Sequence, residues 1–105
     1  MIEFQYFDGC PNAQATLENL NELIEEGLID RGLLTITELS DLAAAERVHF
    51  QGSPTILVDG VDIYTGKRPT TMNYTCRIFD FDGLKTGVIG KEFIRKRIRD
   101  LGLTE

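Results

Sequence analysis

A chain of 105 residues and 11.8 kDa fits one compact domain and leaves no room for two. Hydrophobic residues make up 42% and charged residues 27%, which excludes a wholly disordered chain and a fibrous repeat. The net charge of −6 argues against nucleic acid as a partner, and the short apolar runs argue against a membrane.

Ile2 to Phe7 alternates and ends in aromatics, which predicts a strand. Asp8-Gly9 breaks it. Pro11 then opens a helix, because the missing N–H of proline has no intrahelical use at the first position. That makes Cys10 the N-cap. Ala13, Leu17, Leu20, Ile24 and Leu28 recur at helical spacing, so the helix is expected over 11–30. Gly32 is its stop, and Gly27 weakens the last turn.

Residues 33–38 alternate Leu34 and Ile36 with threonines and predict a second strand. Ser40 caps a shorter helix over 41–50, with Leu42, Ala45 and Val48 or His49 inward. Gln51-Gly52-Ser53-Pro54 reads as a turn, and residues 55–58 as a central strand. Asp59-Gly60 signals a hairpin that returns over 61–64. Residues 65–75 form a loop long enough to carry function. Residues 76–81 are expected to be extended, with Asp82-Gly83 turning them. Phe93, Ile94, Arg97, Ile98 and Leu101 mark a C-terminal helix, capped by Gly102, onto which Leu103 can fold back.

The predicted order βαβαββα gives a single α/β domain over 1–105. Its first βαβ unit is right-handed with parallel strands, and the hairpin adds an antiparallel edge. The result is a four-stranded mixed sheet flanked by helices. Charge is uneven along it: residues 1–62 hold twelve acids and two bases, and residues 63–105 hold five acids and nine bases. That pattern serves either charge complementarity between packed elements or a docking face for an acidic partner. Met1-Ile2-Glu3-Phe4 has no basic and apolar leader pattern, so a cytoplasmic location is expected.

Chemistry centres on the two cysteines, Cys10 and Cys76. Two cysteines in a cytosolic chain rarely make a structural disulfide. Their spacing to His49 offers no zinc cluster, so no metal site is expected. Cys10 differs from an ordinary thiol through its place at a helix start. Unpaired N–H groups and the helix dipole favour an anion there, so its pKa is expected below the free value of about 8.5. Asp8 opposes this if its carboxylate points inward, and Tyr6 offers a hydroxyl donor. The competing reading is a small residue at a tight junction. Cys76 is either a second thiol that meets Cys10 or a small apolar residue buried in a strand. His49 and the aromatics read as structural, and no phosphate-binding or dinucleotide motif calls for a cofactor.

Gly9-Cys10-Pro11-Asn12 after the first strand and Gly52-Ser53-Pro54-Thr55-Ile56 before the third resemble the thioredoxin-like fold over nearly the whole chain. The resemblance implies a cis Pro54 lying against the Cys10 sulfur. It also implies a substrate-binding edge at Pro11, Ser53, Pro54 and Thr55, with the Ser53 backbone free to pair with an extended or thiol-bearing substrate. The partner would be a protein or small-molecule thiol or disulfide. The sequence departs from the Cys-x-x-Cys pattern, because Ala13 stands at the second position. Exchange within the motif is thereby excluded, and Cys76 becomes the possible resolving thiol. Tyr6-Phe7-Asp8-Gly9-Cys10-Pro11, Gly52-Ser53-Pro54-Thr55-Ile56 and Cys76-Arg77 more closely resemble small bacterial thioredoxin-family proteins, some of whose relatives look like the thiol core of alkylmercury lyases, with Cys10 and Cys76 matching its cysteine pair. That similarity implies a soft-metal site at Cys10 and Cys76, without the proton-donating aspartate, whose place Ala13 takes. The expected function is thiol–disulfide chemistry through Cys10. The alternative is a non-enzymatic soft-metal or peptide-binding domain using both thiols.

Overall fold

The computed structural model describes residues 1–102. The N-terminal alternation forms β1 (Ile2–Tyr6), which turns Ile2 and Phe4 into the core at 1% exposure each. Helix α1 (Pro11–Glu25) follows, with Pro11 at its first position and Cys10 as N-cap. It ends earlier than the apolar spacing predicts. Gly27 takes φ 84°, its N–H donates to the Ile24 carbonyl, and the Leu28 N–H donates to that of Leu23. This is a Schellman stop, and it pre-empts the later stop at Gly32. Arg31–Leu33 then makes a short 3₁₀ turn, capped by Asp30.

Strand β2 (Leu34–Glu38) pairs in parallel with β1, placing Ile36 opposite Phe4. Helix α2 covers Leu42–Arg47, shorter than predicted, and its N-cap is Asp41 and not Ser40. The Asp41 carboxylate accepts from the Ala44 N–H at 2.7 Å, a bond a serine one position earlier cannot reach. Its inner face also differs. Ala45 is buried, whereas Leu42 and Val48 are exposed and His49 leaves the helix at φ 54°. The inward apolar groups come instead from the flanks, Leu39 and Phe50, which pack with Ala45 into a small cluster joined by Phe7 and Tyr74.

Strand β3 (Thr55–Val58) is buried at every position, as its apolar run requires of an inner strand. It runs antiparallel to β1 and to β4 (Val61–Asp62), giving the sheet order β2-β1-β3-β4. Asp59 and Gly60 both take positive φ in the connecting turn. The domain is thus a mixed α/β fold with one four-stranded mixed sheet. The order adds one feature to the expected βαβαββα. β5 (Phe79–Phe81) and β6 (Leu84–Thr86) form a separate two-stranded hairpin about Asp82-Gly83. The predicted strand over 76–81 therefore begins only at Phe79.

Helix α3 (Lys91–Asp100) buries Ile94 and Ile98 against the core that holds Phe4, Leu20, Leu23 and Ile56. Each such side chain contributes about 1.5–3 kcal/mol when fully buried. Lys91 reaches Glu22 and Glu26, and Arg95 stands 3.0 Å from Glu26. The acidic α1 and basic α3 meet there as complementary packed elements. Gly102 takes φ 76° after α3, and Leu103 lies outside the described residues. No helix among the described residues is long and apolar enough to cross a membrane.

Candidate functional site

Cys10 sits where β1 hands over to α1, with extended backbone angles of φ −94° and ψ 105°. Its side chain makes no capping bond and is 6% exposed. The sulfur lies 3.7 Å from the Ser53 carbonyl, to which a thiol would donate. The Ser53–Pro54 peptide is cis, and both residues are buried.

The Ser53 backbone, which the resemblance left free for a substrate, is occupied by the chain itself. Its N–H donates to the Thr75 carbonyl at 2.8 Å, and its carbonyl accepts from the Arg77 N–H at 2.9 Å. The Ser53 hydroxyl accepts from the Phe7 N–H at 3.4 Å. Thr55 is fully buried, and its hydroxyl is also engaged, donating to the Gly52 carbonyl at 2.6 Å. Pro11 is exposed at the helix start. Ser53, Pro54 and Cys10 are thus brought together, while Thr55 is turned into the interior.

The pairing at Ser53 brings in residues 73–77 as a strap and sets Cys76 beside Cys10. Their sulfurs are 3.2 Å apart. Cys76 is exposed, so it is not the buried strand residue that was one of its two readings. The two thiols are held in unlike states. Burial pushes the Cys10 thiol up, but the Ser53 side chain, the Cys76 thiol and the Ala13 and Asn12 N–H groups outweigh it. Cys10 is held below the ordinary thiol value. Cys76 is pushed above it by its bond to Cys10, by burial and by the charge on Cys10. The two sulfurs in contact are thus shifted in opposite directions, the buried one down and the exposed one up.

Several contacts fix the strap that sequence reading did not find. The Asn73 N–H donates to the Phe50 carbonyl at 2.7 Å, and the Tyr74 hydroxyl donates to the Leu39 carbonyl at 2.8 Å. Arg77 places a guanidinium nitrogen 3.0 Å from the Asp62 carboxylate, with side chains 10% and 1% exposed. It also donates to the Thr55 hydroxyl at 3.2 Å, and it lies 4.8 Å from the Phe79 ring centre. The second Asp62 oxygen accepts from the Tyr64 N–H at 3.0 Å. Gly52 completes the fit, because a Cβ there would stand 2.7 Å from the Arg77 side chain and 2.8 Å from the Thr75 carbonyl. The available signal was the basic residue directly after Cys76, but its partner in β4 is set only by the fold.

A second feature opens beside Cys10. A pocket of about 370 Å³ lies between the end of β1, the first turns of α1 and β2. Phe4, Tyr6, Ala13, Leu17 and Ile36 line it together with Cys10. The Tyr6 hydroxyl does not serve the Cys10 sulfur. It lies 3.5 Å from the Glu38 carboxylate, and burial together with Glu38 and Asp8 pushes its pKa up.

No group of three or more His, Cys, Asp or Glu residues is placed to hold a metal ion among the described residues. Among the described residues, Cys10 and Cys76 bring two thiol sulfurs together. No protein-family model, curated protein or solved structure matches this chain.

Proposed function

We propose that this chain is a thioredoxin-like domain that carries out thiol–disulfide exchange, with Cys10 as nucleophile and Cys76 as resolving thiol. The observation that carries the reading is the 3.2 Å approach of the two sulfurs at the start of a helix. A disulfide needs a separation of about 2.05 Å, so closing the bond takes a small shift of an exposed strap residue. The Cys10 thiolate attacks a disulfide sulfur, forms a mixed disulfide and releases a thiolate. Cys76 then loses its proton and attacks the Cys10 sulfur, releasing the second thiolate. The protein dithiol is oxidised and the substrate disulfide is reduced to two thiols. A cytoplasmic location, where the pair would be returned to the reduced state, suits this cycle.

A soft-metal reading uses the same two sulfurs. Exchange is preferred because it needs only these two thiols, whereas no third His, Cys, Asp or Glu joins them among the described residues.

Mass spectrometry after mixing with a small disulfide tests the proposal. Wild type should lose two hydrogens and join Cys10 to Cys76. Cys76→Ser should stop at a mixed disulfide on Cys10, and Cys10→Ser should form its adduct on Cys76 more slowly than Cys76→Ser forms one on Cys10. An adduct appearing first on Cys76 in the wild type would overturn the assignment of roles.

A further inference from the structure

Resting on the exchange reading, we infer that the substrate is a small neutral or cationic disulfide that enters through the Tyr6–Leu17–Ile36 pocket, and not an extended peptide paired with Ser53. Two observations carry this. First, both backbone groups of Ser53 are already bonded to Thr75 and Arg77, so the edge a peptide would use is filled. Displacing the strap to admit a peptide would also remove Cys76 from Cys10. Second, Cys10 lines the pocket and Cys76 does not. Substrate and resolving thiol therefore approach the same sulfur from different surroundings, and neither need leave for the other.

The pocket itself selects. The apolar part of its lining, Phe4, Leu17 and Ile36, suits an alkyl chain or a small ring. A volume of about 370 Å³ holds a small disulfide but not a folded protein loop. Asp8 stands at its mouth, Glu38 lies against the Tyr6 hydroxyl, and no lysine, arginine or histidine lines it. An anionic disulfide meets the Asp8 carboxylate in the lining, with Glu38 behind the Tyr6 hydroxyl and no counter-charge, whereas an ammonium group is drawn in. The step is the one already written: the Cys10 thiolate opens the bound disulfide, and Cys76 expels the half that stays attached.

The experiment compares the rate of Cys10–Cys76 closure with cystamine, 2-hydroxyethyl disulfide and oxidised glutathione. Each rate is divided by the rate of the same reagent with 2-mercaptoethanol, a neutral thiol, which removes intrinsic reactivity without a charge preference of its own. Cystamine should lead and oxidised glutathione should trail by about tenfold or more at low salt, with the spread shrinking as salt is added. Asp8→Lys, an exposed turn substitution, should narrow that spread. Ile36→Trp, at a half-exposed edge position, should slow cystamine and 2-hydroxyethyl disulfide together by filling the pocket. A cationic peptide disulfide should react more slowly than cystamine. Equal normalised rates for all reagents, or a peptide faster than cystamine, would overturn the inference while leaving the exchange reading intact. Failure of every reagent to join the two cysteines would instead overturn the exchange reading itself.

Discussion

Arg77 holds its guanidinium 3.0 Å from the Asp62 carboxylate, and Asp62 is all but sealed from solvent at 1% exposure. The residue after Cys76 is thereby tied to the return strand of a hairpin fifteen positions earlier. A buried pair of this kind is costly to break from one side, because the remaining charge has no water to turn to. Arg77→Met should therefore destabilise the domain by about 3–5 kcal/mol in urea unfolding. Asp62→Asn combined with Arg77→Met should recover much of that loss, since asparagine still accepts from the Tyr64 N–H. Equal losses in the single and double variants would show that the charge pair is not what holds the strap.

The two thiols should titrate in opposite directions. Alkylation by iodoacetamide across pH should give Cys10 a midpoint below the ordinary thiol value and Cys76 one above it. Cys76→Ala should raise the Cys10 midpoint by removing a donor to the thiolate. Cys10→Ala should lower that of Cys76. Folding stability should follow. Between the lowered Cys10 pKa and the unfolded thiol value, the unfolded chain binds more protons, so stability rises with pH. Above the unfolded value the folded chain keeps the Cys76 proton, so stability falls. A monotonic stability profile across that range would contradict the paired assignment.

Local signals made part of this molecule legible. Pro11 at a helix start and Asp59-Gly60 at a hairpin turn need only their neighbours to act, and both stand where the sequence puts them, although the return strand ends at Asp62 and not at the expected Tyr64. The end of α1 was ambiguous because Gly27 and Gly32 both offer a stop, and the first that closes a good hydrogen bond takes it. The position of Cys76 was left open between two readings, beside Cys10 or buried in a strand, and only the assembled fold decides it. It depends on Ser53 pairing with Thr75 and Arg77 and on Asp62 receiving Arg77, contacts whose partners lie far apart in the chain. The pocket is likewise a product of assembly, since β1, α1 and β2 each supply part of its wall.

Gly52 tests the strap from the opposite side. Its φ of 106° disfavours a side chain, and a Cβ would meet both Thr75 and Arg77. Gly52→Ala should cost about 1–3 kcal/mol through backbone strain alone. It should also slow closure of the Cys10–Cys76 bond, measured by mass spectrometry, because it pushes the strap off Ser53. An unchanged closure rate in a folded variant would mean that Cys76 reaches Cys10 without the Ser53 pairing.

Oxidation should stabilise the fold. The bond would close a loop of some sixty-six positions, and it acts mainly by restricting the unfolded chain. For a loop of that length the gain is about 4 kcal/mol in the chain-entropy treatment. Native strain subtracts from the gain, but the sulfurs already lie 3.2 Å apart and Cys76 is exposed, so little rearrangement is required. Urea unfolding of the oxidised and reduced protein should show a higher midpoint for the oxidised form. Cys76→Ser and Cys10→Ser should unfold identically with and without reductant. An oxidised wild type that unfolds no later than the reduced form would show that the bond distorts the strap enough to cancel its effect on the unfolded chain.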